Sequence, residues 1–178
     1  MIEFRHPNSQ SFFDYWSSLP REGVLPLRSS FLPEKIPRLL PTLSIYELVS
    51  EDFIKFRLVG STIRERVVEN YTGKNYLDYV APERRAKASA SLWAPMKQPC
   101  GMRVFSNYNL STGRTIFLEV VVLPVLNDLG ENPVILLQSN EIKARDNRSP
   151  EEAENLKVIT VAGRDFFDIG AGLSDFKD

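Results

Sequence analysis

Apolar and aromatic positions dominate two short runs, residues 43–49 (LSIYELV) and 53–60 (FIKFRLVG). These strand-like runs predict a pair of strands, joined as a hairpin by the polar Ser50-Glu51-Asp52. In the second strand Ile54, Phe56 and Leu58 share one face while Lys55 and Arg57 share the other, so the first face is the core candidate. Three further strands are predicted downstream. Residues 101–109 alternate Met102, Val104, Ser106 and Tyr108 against Arg103, Phe105 and Asn107. Residues 115–125 are apolar on both faces except at Glu119, and 133–142 start apolar and end polar. The links at 110–114 and 127–132 carry glycine and turn formers, which suits antiparallel hairpins.

Between the second and third strands the period changes abruptly at a glycine, in FRLVGSTIRERVVENYTGKNYLDYVAP. Thr62 and Glu65 form a capping box for a helix with Ile63, Val67 and Tyr71 on one side. Gly73 is placed to end it in the left-handed conformation, and Asn75 to cap a short turn through Val80. Pro82 opens a third helix that runs until Pro95. Separately capped helices cannot merge into one rod, so these are expected to curl over one sheet face and wall a small cavity.

Residues 9–19 predict a first helix, capped by Ser9 or Ser11, with Phe12, Phe13, Trp16 and Leu19 as its apolar stripe. Prolines at 20, 26, 33, 37 and 41 then impose an extended connector with one helical turn near 34–40. In the tail, Ser149, Pro150 and Glu152 mark a further helix start. RDFFDIGAGLSDFKD reads as either a packed extension or a docking peptide. The organisation is therefore 1–41, helix and connector; 42–142, core; 143–178, extension. Because 115–125 and 133–137 are apolar on both faces, the sheet's second face also needs cover. The aromatic helix supplies part, and a second copy of the chain the rest.

Composition narrows the function. The 178 residues carry 43% hydrophobic and 25% charged side chains, an ordinary globular balance. A net charge of −1 gives no pull toward nucleic acid or anionic lipid. A single cysteine, Cys100, and a single histidine, His6, exclude an internal disulfide and a Cys/His zinc site. The start, MIEFRHPNSQ, lacks the apolar core of a secretory signal. IFLEVVVLPV falls short of the ~20 residues that span a bilayer. A cytoplasmic location is expected.

The order of strand pair, short helices, longer helix and three antiparallel strands resembles the PAS superfamily across roughly 42–142: an α+β fold with a five-stranded antiparallel sheet and helices over one face. The chain also resembles a bacterial branch of it, through Trp16 in an aromatic first helix, LPLRSSFLPEKIPRLLPTLSIYEL, FRLVGS running into Thr62-Ile63, and DIGAG in the tail. The resemblance implies a sensory or protein-interaction module in bacterial signalling, without an activity of its own.

Haem-binding members use a histidine on the longer helix, and ERRAKASASLW has none. Photoactive yellow protein is similar at Gly73-Lys74-Asn75-Tyr76 and Val80-Ala81-Pro82, but Glu83 follows where its chromophore-bearing cysteine stands. Light-oxygen-voltage (LOV) flavin sensors need a cysteine in this helical region, and 61–94 has none. Histidine-ligated haem, the thioester chromophore and the cysteinyl flavin adduct are thus disfavoured. Noncovalent flavin or a small apolar metabolite stays open, and the cofactor is unknown.

Cavity candidates are Phe56, Leu58, Ile63, Val67, Tyr71, Trp93, Ser106 and Tyr108, with ordinary core packing as the alternative for the aromatic ones. Arg28, Tyr46, Glu47 and Arg57 are polar candidates. Arg57 pairs with Tyr46 or Glu47 according to register, and Arg28 ties the connector to the sheet or binds an anion. Glu119 is expected at a solvated or interface position, since a buried charge needs a partner. Asp165 and Asp168 read as solvated charges, and Cys100 as an idle thiol in a turn. The leading expectation is a non-enzymatic sensory or regulatory module, a homodimer that binds a small ligand or a signalling partner and reports through its termini. A ligand-free interaction scaffold is the alternative, and a small α+β enzyme the third.

Overall fold

The computed structural model describes residues 2–65, 69–145 and 153–178. Its strands are β1 (Leu43–Ser50), β2 (Phe53–Val59), β3 (Cys100–Leu110), β4 (Thr115–Val125), β5 (Val134–Arg145) and β6 (Leu156–Asp168). They form one antiparallel sheet in the order β2-β1-β5-β4-β3-β6. The α+β architecture is as expected, but the strand count rises from five to six. The tail supplies β6, which pairs with β3 from Cys100↔Asp168 to Leu110↔Leu156. Glycine and charge interrupt its alternation, which hid it. The helix start expected at Ser149, Pro150 and Glu152 lies outside the described residues, as does Val67.

On the inner face lie α2 (Ser61–Glu65), single turns at Tyr76–Tyr79 and Pro82–Arg84, and α3 (Arg85–Lys97). The abrupt turn after β2 has a steric cause. A Cβ on Gly60 would sit 2.4 Å from the Pro41 carbonyl oxygen, so only glycine lets the strand end press on the connector. The expected capping box is not used, because α2 already starts at Ser61 and encloses Thr62. Asn75 caps as expected: its side-chain oxygen accepts from the Leu77 N–H (3.1 Å) and the Ile54 N–H (3.0 Å). Its amide donates to the Asp52 carbonyl at 2.8 Å, which sews the turn to the β1–β2 hairpin. Gly73 adopts φ +87°. The longer helix continues through Pro95 to Lys97 instead of stopping at the proline.

Leu58 is a correction. The register passes from Tyr46↔Phe56 to Ile45↔Leu58, so Arg57 is an extra residue in β2. This bulge reverses the alternation, leaving Leu58 43% exposed and turning Val59 inward.

The outer face is covered by α1 (Pro7–Ser18) and by the connector. The connector makes three short turns, at Arg28–Ser30, Pro33–Lys35 and Leu40–Thr42, where one was expected. It pairs with the sheet through Leu27 and Leu126, the Arg28 N–H donating to the Leu126 carbonyl at 2.7 Å. Phe12, Trp16 and Phe31 pack there with Val121, Leu123 and Leu136, so much of the cover expected from a second copy comes from this chain.

Glu119 overturns its expectation most clearly. It is 0% exposed and accepts hydrogen bonds from the Arg5 N–H (2.8 Å), the His6 N–H (2.8 Å) and the Ser9 hydroxyl (2.7 Å). The cap of α1 is His6, whose Nδ1 accepts from the Asn8 N–H at 3.1 Å, and neither Ser9 nor Ser11. The burial costs little because three donors meet the carboxylate, near the positive end of a helix. Cys100 is the buried first residue of β3, not a turn residue. Glu119→Gln, which turns an amide NH2 toward these donors, is expected to destabilise the fold by about 1–3 kcal/mol. Urea unfolding followed by tryptophan fluorescence checks this, because the Trp16 indole donates to the Pro124 carbonyl beneath the same helix.

Candidate functional site

Between the helical turns and the inner face the apolar core contains two small cavities. The first, about 20 Å³, is lined by Ser44, Tyr46, Phe56, Val59, Ile63, Tyr71 and Tyr108, with Leu110, Ile116, Leu118 and Leu156. The second, about 30 Å³, lies toward α3 and β6, among Tyr46, Tyr76, Ser91, Ser106, Tyr108 and Arg164 and apolar side chains of the central strands. Each has room for about one water. Among the described residues, Tyr46 and Tyr108 alone line both. They reach from β1 and β3 over the two strands between. These two rings are the partition that keeps the cavities apart.

The wall is an aromatic cluster. Tyr46 and Phe56 meet edge-on with ring centres 5.0 Å apart, and Tyr71 and Tyr79 likewise at 5.1 Å. The Tyr71 hydroxyl accepts from the Leu156 N–H at 3.1 Å, linking the helical side to β6. Burial raises the pKa of Tyr46 well above 10, with Tyr108 and Tyr76 adding to it. Burial likewise raises Tyr76, and pushes Tyr79 up to about 12.

Of the candidates from sequence, Phe56, Ile63 and Tyr71 line the first cavity, Ser106 the second and Tyr108 both. Trp93 does not join them. It packs at the edge of the core, its indole donating to the Ser50 carbonyl at 3.4 Å, away from both cavities. The polar candidates separate by strand alternation. Tyr46 faces the cavities, while Glu47 lies away from them, with Arg57 at 3.2 Å, Lys55 at 3.5 Å and the Asn132 amide at 2.7 Å. The Asn132 bond leads in holding the Glu47 carboxyl below its ordinary range, against the opposing effect of burial. The Arg28 guanidinium lies outside both cavities, 5.7 Å from the ring centre of Phe31 within the connector, and it is the Arg28 backbone N–H that bonds to the sheet side at Leu126. Tyr76, Val59 and Arg164 were missed. The GKNY stretch held the signal for Tyr76; Val59 and Arg164 follow bulges that sequence does not show.

Asp165 pairs with Arg103 at 2.6 Å, and Asp168 accepts from the N–H groups of Gly170, Ala171 and Gly172, which hold its carboxyl below the usual range. The Cys100 thiol is pushed up by burial and shares no cavity. Among the described residues no three His, Cys, Asp or Glu side chains gather as metal ligands, and no helix is long and apolar enough to cross a membrane.

An antiparallel sheet with short helices and turns across one face and tyrosine-lined cavities beneath defines an α+β domain of PAS architecture. The chain belongs to the PAS domain family, whose model matches residues 4–137. No curated protein matches it. Among solved structures it is similar to an RNA-binding Light-Oxygen-Voltage receptor, at 14% identity and TM-score 0.44, over 69% of this chain and 35% of that one. It is also similar to a point variant of RsLOV, at 17% identity and TM-score 0.43, over 66% of this chain and 69% of that one. The chain thus spans about a third of the first of these. A tricyclic cofactor needs a pocket on the order of 300 Å³ or more, and neither cavity fits one.

The raised tyrosines set a pH window. A folded-state pKa above the unfolded value near 10 means that the fold requires neutral phenol. Stability is full below pH 10 and falls as pH rises toward 12 and beyond. Urea midpoints between pH 8 and 12 are expected to show this decline, with a shallower slope in Tyr46→Phe.

Proposed function

We propose that the chain is a non-enzymatic sensory or regulatory module of a bacterial signalling protein, acting in the cytoplasm. Its response centres on the Tyr46–Tyr108 partition. The observation that carries this reading is the polar lining of two adjacent cavities within an otherwise apolar core. Parting the two rings would join the cavities into one site large enough for a small ligand. Such a ligand acts by its differential affinity for the parted arrangement over the closed one. The tail, packed on β6, would report the change. His6 acting as a helix cap and Cys100 held as a buried thiol support a role without catalysis. The net charge of −1 favours a protein or small-molecule partner over nucleic acid or membrane.

The second reading, a ligand-free scaffold, is favoured by how little interior space there is. An absorption spectrum and denaturing mass spectrometry of the purified protein separate the two. A copurified small molecule, lost in a Tyr108→Ala variant that still folds, is expected under the first reading. No added mass, together with unchanged partner binding in that variant, rejects it in favour of the scaffold.

A homodimer is the proposed assembly. It would use the end of the outer face that α1 leaves open, where Phe105, Phe117 and Ile142 are only partly buried. Sedimentation at tens of micromolar is expected to give a dimer, and a monomer there rejects this assembly.

A further inference from the structure

Arg164 combines a buried cation with incomplete bonding. Its partner position on β3 is Val104, and one step earlier Ser106 pairs with Val161 while Phe105 pairs with Gly163, so Ala162 is an extra residue in β6. This bulge lets Val161 and Arg164, three apart, both face inward, and both line the second cavity. The Arg164 side chain is 6% exposed, yet its Nε has no hydrogen-bond partner. Its Nη1 bonds to the carboxylate of Asp178, which is 50% exposed. The guanidinium lies 5.3 Å from the Phe176 ring centre.

The segment after β6 therefore folds back over the mouth between α3 and β6. The turn at Asp168 starts it, Phe176 packs on Phe166 at 5.7 Å, and Asp178 reaches both Arg164 and Lys87 of α3, the latter at 3.8 Å. It contains no helix or strand, and Leu173 is exposed. Its start is held by the Asp168 turn and by the Gln98 amide donating to the Ala171 carbonyl, while its last residues are held at the surface by Phe176 and the half-exposed Asp178, the part that must move to open the mouth. Two cations face one carboxylate at this mouth.

We infer that Arg164 is the recognition residue of a site for a small organic carboxylate, and that Asp178 occupies that site as a tethered competitor. The planar guanidinium fork matches a carboxylate through two parallel N–H bonds, and its unpartnered Nε supplies a donor that Asp178 leaves unused. The body of the ligand lies against Tyr76, Tyr108 and Leu92 in the enlarged second cavity. A tethered carboxylate competes at an effective concentration in the millimolar range, so the site is latent until the tail is displaced.

The inference rests on the regulatory reading above, and its failure would leave that reading standing, because the copurification experiment concerns the whole interior. The test uses the full chain with acetate, succinate and benzoate as probes, benzamide as the uncharged control and sodium chloride to match ionic strength. In D178N at least one carboxylate is expected to raise the melting temperature and to bind about tenfold more tightly than in the unaltered chain, the effect of about 1.4 kcal/mol of lost competition. Benzamide should do neither, and R164Q in the D178N background should remove the effect. If R164Q does not fold, R164K replaces it and is expected to weaken binding by losing the fork. No binding by any of the three carboxylates, equal shifts with benzoate and benzamide, no tightening in D178N, or binding indifferent to position 164 would each overturn the inference.

Discussion

The central strands β4 and β5 are apolar on both faces, and one chain must cover both. Val120 and Val122 point to the inner core while Val121 and Leu123 point to the outer one, all four buried. The inner cover comes from residues 61–65 and 69–97 and the outer one from α1 and the proline-rich connector. The outer cover is pinned by a charge. Glu119 projects from an otherwise apolar run and takes three donors from the start of α1, so docking the helix and satisfying the carboxylate are one event. Asn140 extends the network, its amide donating to the Ser9 hydroxyl at 3.0 Å. Removing any member leaves a buried polar group unmet, which gives α1 a defined position that hydrophobic packing alone does not.

The inner cover is of another kind. It is a series of short pieces, of which the Tyr76–Tyr79 turn is capped by Asn75, and separate contacts fix them to the sheet. Asn75 ties its turn to the β1–β2 hairpin, and Tyr71 ties the helical side to Leu156 on the far edge. Such a cover deforms piece by piece, where a continuous helix would move whole. Tyrosine suits its underside because it supplies large aromatic contacts and a polar tip. The Tyr46–Tyr108 pair uses both properties, as core packing and as a partition between two cavities.

What could be read from sequence follows from how local each cause is. The hairpin of β1 and β2, the inward set Met102, Val104, Ser106 and Tyr108, and the Asn75 cap depend on neighbours within a few residues, and they stand as expected. Leu58 failed because a bulge at Arg57 shifts the pleat by one residue, and nothing in FRLVGS distinguishes a bulged strand from a regular one. Glu119 failed because its partners lie more than a hundred residues away, in a helix whose docking is itself the reason for the burial. Trp93 failed because its helix presents that position to the end of the hairpin instead of the cavities. The lining of the site was therefore read on strands with regular alternation, and lost where a bulge or a distant contact set the direction of a side chain.

β6 carries this furthest, since it changes what packs against both faces. By pairing with β3 along its length it covers what would otherwise be a long bare edge. Its start is fastened by the buried pair of Glu154 and Arg114 at 3.2 Å. Past the Ala162 bulge, alternate residues serve opposite faces. Arg164 and Phe166 belong to the inner side, while Phe167 joins Phe4 and Phe13 of the N-terminal region at 5.8 and 5.5 Å. Its ring lies against Gly101, where a Cβ would come within 2.2 Å of it, so the contact admits little sliding. One edge strand thus packs on the cavity side through Arg164 and Phe166 and on the N-terminal region through Phe167, close-packed contacts that a five-stranded sheet would not possess.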